Sequence, residues 1–191
     1  MEELNEVNEG QVIEKRPKFL LVISILSFVN IGITILTSLF GALGGKPSAD
    51  ELEAAKLQFA DSQEKLEALA QSEKVDMSYW SEILTKMEIM SDNMYANFSM
   101  YNSLILLVAI FALVAVYLMF TGKKLGFHFY IGYCFLYVIQ SYFFTAPSDV
   151  PTFVIVLNIL YGGIWVYLYS RNLKWMKVIS SFVCHKNDQH N

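Results

Sequence analysis

The chain has 191 residues, of which 54% are hydrophobic, 15% aromatic and only 17% charged. The charges are clustered and leave long runs with none, which excludes an ordinary soluble domain and points to a membrane protein. A net charge of −4, with two Arg against twelve Lys, offers neither a basic patch nor guanidinium forks for nucleic acid, so no nucleic-acid partner is expected.

Residues 1–18 form an acidic tail ending in Lys15, Arg16, Pro17 and Lys18. Residues 19–41, FLLVISILSFVNIGITILTSLFG, carry no charge over 23 positions. As a helix this run is about 34 Å long, enough for a hydrocarbon core of ~30 Å. It exceeds the ~7–15 apolar residues of a signal peptide, so an uncleaved span is expected. Ser27, Asn30, Thr34 and Thr37 share one of its faces.

Residues 42–99 are too many for a structureless connection. After GALGGKP, Ser48-Ala49-Asp50-Glu51 reads as a capping box. Leu52, Ala55, Phe59, Ser62, Leu66 and Leu69 then recur at three and four, the mark of an amphipathic helix. Lys74-Val75-Asp76 reads as a turn, with Asp76 or Ser78 as the next N-cap. Trp80, Ile83, Met87, Met90, Met94, Asn97 and Tyr101 continue the same spacing into the next apolar run, so the helix is expected to enter the span directly. The two series can bury each other as a helical hairpin, or present a seam to another copy. The expected seam is Phe59, Leu66, Trp80, Ile83, Met87 and Met90. Methionine thioethers also bind soft metals, but no His or Cys lies between Gly41 and Phe127. The methionines are therefore read as adaptable core, and neither a metal nor a cofactor is expected. Asn97-Phe98-Ser99 is a glycosylation sequon, which a bacterial protein would not use.

Three more spans follow, at 100–120, 125–144 and 151–170, the last with Pro151 at its first turn. The links TGKK and TAPSDV are short, which makes neighbouring spans antiparallel. Spans one, two and four hold no ionisable group except tyrosine. His128, early in span three, reads as an interfacial residue, because no intramembrane acid pairs with it. Tyr130, Tyr133, Tyr137 and Gln140 line up on span three, and Asn158, Tyr161, Trp165 and Tyr169 on span four. With Asn30 of span one, Tyr137, Gln140 and Asn158 make an expected intramembrane polar face, the last three lying too deep to be interfacial anchors alone. They serve either helix packing or a pocket for a solute or lipid. Residues 171–191 form a tail in which 172–183 reads as a basic interfacial helix, with Trp175 and Met176 toward lipid. Cys184, His185 and His190 near its end are read as disordered rather than as a metal site, and two cysteines make no disulfide framework.

Basic residues precede span one, link spans two and three, and follow span four, whereas the loops 42–99 and TAPSDV are acidic or neutral. The positive-inside rule then places both termini in the cytoplasm.

Glu14-Lys15-Arg16-Pro17-Lys18-Phe19-Leu20, Gly122-Lys123-Lys124-Leu125-Gly126-Phe127-His128-Phe129-Tyr130 and Arg171-Asn172-Leu173-Lys174-Trp175-Met176-Lys177 are junction motifs. With the Met- and acid-rich loop they resemble uncharacterised four-span proteins of bacterial inner membranes. The resemblance covers nearly the whole chain and implies architecture and a bacterial plasma membrane, with no activity and no functional residues. Claudin-like proteins share a four-span plan but carry a paired-cysteine loop, and this loop has no cysteine.

The expected fold is therefore all-α: a polytopic membrane protein of four transmembrane helices, with an extracytoplasmic helical hairpin between the first and second. No phosphate loop, nucleophile elbow or paired helical His is present, so an enzyme is not expected. The leading expectation is a scaffold or accessory subunit that assembles through the hairpin, with membrane lipids and either its own copies or a partner membrane protein around it. The alternative is a small-solute transporter or lipid-binding protein with a pocket between spans three and four.

Overall fold

The computed structural model describes residues 16–73 and 76–176. The acidic tail up to Lys15, the Lys74-Val75 turn and the final Cys and His residues lie outside them. Six α-helices and one 3-10 turn follow in order. They are α1 (Lys18–Leu43), α2 (Ala49–Glu73), α3 (Ser78–Ala96), α4 (Phe98–Phe120), α5 (Leu125–Ile139), the 3-10 turn Gln140–Phe143, and α6 (Thr152–Ser170).

Three helices, α1, α4 and α6, are long and apolar enough to cross a membrane, not the four expected. The exception is 125–144. Its α-helix stops after 15 residues, about 22 Å of rise, and the next four residues tighten into the 3-10 turn. Together they still run the length of the bundle. Gly126 lies against Ala115 and Met119 at one end of α4, and the Phe144 ring meets Tyr101 at the other, with centroids 5.6 Å apart.

Small side chains set the packing. Ala109, Ala112 and Ala115 are buried on α4, which lies between α1 and α5. A Cβ on Gly126 would stand 2.6 Å from the Ala115 carbonyl oxygen, so α5 meets the α4 backbone there. Gly41 likewise accommodates the Asn102 side chain where α1 and α4 meet. Close approach of this kind is how apolar helices associate without a hydrophobic drive. Most large apolar side chains of α1 and α6 point outward: Val29, Ile33, Ile159 and Ile164 are all more than half exposed.

At one end the basic junctions converge. The Arg16 guanidinium lies 3.7 Å over the Phe120 ring, and that of Arg171 5.8 Å from the Phe19 ring. The chain after α6 corrects an expectation. Through Met176 it is turns rather than helix. Trp175 covers Gly122 and Met176 is buried in the core cluster, so these side chains seal the bundle end instead of facing lipid. The end of the proposed interfacial helix, from Lys177, lies outside the described residues.

The capping box forms as expected. The Glu51 amide donates to Ser48 Oγ at 3.2 Å, and the Ser48 amide to Glu51 Oε2 at 2.8 Å. Met77 holds the N-cap position of α3, while Asp76 accepts the Ser78 amide hydrogen at 2.9 Å. Helices α2 and α3 touch through Lys56 with Asp92 (3.5 Å) and Gln63 with Ser81 (3.3 Å). Between α3 and α4 the helix does not pass smoothly. Asn97 breaks it for one residue and returns its side-chain N–H to the Asn93 carbonyl at 3.0 Å. Such a back-bond bends a helix. Ser99 then ties this junction to the end of α1 through the Ala42 carbonyl, at 3.1 Å.

Candidate functional site

The polar faces of α1, α5 and α6 converge on one cleft. Near the basic end it is closed. The Tyr169 hydroxyl, fully buried, donates to Ser27 Oγ at 2.8 Å and approaches the Ile23 carbonyl at 3.4 Å. Tyr130 and Trp165 pack on the Tyr169 ring, with centroids 4.9 Å and 6.5 Å away. Beside them is a narrow recess of about 30 Å³, bordered by Cys134 and Gly162. The Cys134 thiol points to the Gly162 carbonyl at 3.9 Å.

Toward the opposite end the cleft widens to about 400 Å³. Its walls are Asn30, Thr34, Thr37 and Ser38 of α1, Tyr101 and Asn102 of α4, Tyr133 and Tyr137 of α5, Gln140 of the 3-10 turn, and Tyr161 of α6. The recess and the wide part share Asn30, Ile31, Tyr133, Tyr137 and Tyr161, so they form one continuous space. No Asp, Glu, Lys, Arg or His lines either part.

Asn30, Tyr137, Gln140 and Asn158, singled out on three separate spans, all border this space. Gln140 is the most enclosed, 9% exposed, and its Oε1 has no hydrogen-bond partner. The Asn30 and Asn158 amides make no side-chain hydrogen bond to another described residue. Asn30, Thr37, Tyr137 and Tyr161 are exposed, so the cleft is open along its side rather than sealed. Tyr101, Asn102, Ser38 and Cys134 were not anticipated here. Tyr101 carried the three-and-four spacing of the hairpin series, and that signal hid its second role.

The other predicted set lies apart from the cleft. Phe59, Leu66, Met87 and Met90 are half-buried and Ile83 is buried, whereas Trp80 is half exposed with its ring edge-on to Tyr79. Half-buried positions on α2 step from Phe59 to Gln63, Leu66 and Ala70, leaving Ser62 and Leu69 outside. A straight helix advances by 3.6 residues per turn, so its contact stripe drifts off a strict 3.5 repeat. Among the described residues no group of three His, Cys, Asp or Glu side chains stands together. The chain matches no family model, no curated protein and no solved structure.

Proposed function

We propose that the protein is a non-enzymatic integral membrane protein that binds a small molecule or lipid in the cleft between α1, α5 and α6. The observation that carries this is the meeting of Asn30, Tyr137, Gln140 and Asn158 at one side-open space. In a bilayer an unpaired amide has no water to satisfy it and costs several kcal/mol. Three amides gathered without protein partners are explained by an occupant that supplies the missing hydrogen bonds. No Asp, Glu, Lys, Arg or His lines the space, so none of these stands there as a base to activate its hydroxyls or the Cys134 thiol, and the walls suit recognition rather than proton or acyl transfer.

In this reading α1, α4 and α6 span the membrane, and α5 with its 3-10 turn makes a composite pass between α4 and α6. Both termini and the basic junctions face the cytoplasm of a bacterial plasma membrane, and α2 and α3 form an antiparallel hairpin on the other side. Transport and static lipid binding both fit the cleft. The test is gentle extraction of the full chain followed by mass analysis of small molecules retained. We expect a defined occupant in the wild type and its loss in Gln140→Ala and Asn158→Ala, with thermal stability retained. Equal retention in both variants would remove the cleft from consideration.

Assembly through α2 and α3 is a second reading, favoured by Leu57, Leu69, Tyr79 and Trp80, each half or more exposed outside the bundle. The joint change of Met87 and Met90 to Leu conserves volume and apolarity, so any oligomer seen by chemical crosslinking should persist. Loss of function with the oligomer intact would favour a thioether metal role instead.

A further inference from the structure

We propose that the occupant is a neutral, hydroxyl-bearing lipid that enters sideways from the bilayer and donates its hydroxyl hydrogen to Gln140 Oε1. The inference rests on the cleft-binding reading above and names the chemistry of that site.

Charge is settled by the walls. Neither the recess nor the wide part presents a charged side chain, and an ionised headgroup would be buried there without a counter-charge. The donor requirement comes from Gln140. Its oxygen is enclosed and unpaired, and an amide oxygen can only accept. The occupant must therefore bring an O–H or N–H at that point. Asn102, on the wall of the wide part, spends one of its two amide N–H groups on the Phe98 carbonyl at 2.8 Å.

The route follows from exposure. Asn30 stands near the middle of α1, the longest apolar helix, and is exposed there beside the cleft. An opening at that depth meets hydrocarbon before water. At the basic end Tyr169, Ser27 and Tyr130 close the floor, and the recess above them is too small for more than a water-sized group. An alkyl chain therefore leaves through the side, between α1 and α6, while the hydroxyl head lies in the wide part.

Dioleoylglycerol is a suitable probe. The full chain is reconstituted into phosphatidylcholine nanodiscs containing it, and retained lipid is read by native mass spectrometry. The same measurement is made with its O-acetylated analogue, with free glycerol, with phosphatidylglycerol and with the near-isosteric variant Gln140→Met. We expect the wild type to retain dioleoylglycerol, with roughly ten-fold weaker retention of the O-acetylated analogue and of dioleoylglycerol by Gln140→Met. Equal retention of the capped analogue by the wild type overturns the hydroxyl donation, whatever the variant does, and leaves cleft binding standing. Retention of glycerol rather than dioleoylglycerol overturns the lipid route in favour of an aqueous solute. Retention of phosphatidylglycerol alone overturns neutrality. No retained molecule of any kind, even from native membranes, defeats the cleft-binding reading itself.

Discussion

Glycine carries two different meanings in this chain, and space around the missing Cβ separates them. At Gly126 a Cβ would press on the Ala115 oxygen and Met119 nitrogen, both backbone atoms that cannot step aside. At Gly163 there is nothing within 4 Å. Alanine favours a helix over glycine by ~0.5–1 kcal/mol. Gly163→Ala should therefore leave thermal stability in detergent unchanged or slightly raised. Gly126→Ala should lower it despite the same propensity gain, because overpacking costs about 1–3 kcal/mol. Equal unfolding temperatures for the two variants would show that α4 and α5 are not held this closely. From the sequence, Gly126 was one letter in a junction motif, and only the crossing of two helices gives it a role. The same is true of Gln140. Its depth was legible, but its unpaired oxygen depends on which helices stand opposite.

At the scale of elements, local signals survive and tertiary ones do not. Charge-free length marked α1, α4 and α6, since a run of apolar residues this long has few alternatives to a span. The capping box was equally legible because its two hydrogen bonds close within four residues. Replacing Ser48 with Ala removes the acceptor of the Glu51 amide and should cost ~0.5–2 kcal/mol. The loss should appear by circular dichroism as fraying of α2, with the bundle unaffected; unchanged helicity would mean that the cap is idle. At the next helix start, the Ser78 amide holds the Asp76 carboxyl below its ordinary pKa, again a contact two residues apart. By contrast, the change from α to 3-10 at Gln140 has no local cause. Neither Gly nor Pro stands at 139–143, and the turn forms where Phe144 reaches Tyr101 across the bundle. The stripe drift on α2 was missed for a simpler reason, since a 3.5 repeat and a 3.6 repeat agree for the first two turns.

For the whole molecule the charge map and the fold describe the same axis. Arg16 rests on Phe120, Arg171 lies near Phe19, and Trp175 covers Gly122, so three segments distant in sequence meet at one basic end. Lys18, Lys123, Lys124 and Lys174 belong to these same segments. Next to an anionic leaflet each such cation would be attracted by about 1 kcal/mol, and the effects would add along one face. At the other end, Ser99 bonded to Ala42 and Tyr101 packed on Phe144 bring together the acidic helices and the uncharged Thr145–Pro147 stretch. An inverted protein would carry every basic junction across the membrane at once. Orientation should therefore be single. A membrane-impermeant thiol reagent added to intact cells should modify a Ser148→Cys variant and spare Cys184 until the cells are permeabilised, as located by peptide mass analysis. Labelling of Cys184 in intact cells, with Ser148→Cys protected, would mean either an inverted molecule or a segment from Leu125 to Phe144 that does not carry the chain across. Labelling of both sites would mean that α6, which separates them, does not carry the chain across. The α6 wall of the cleft would then lie outside the bilayer, and the cleft would open to water rather than to lipid.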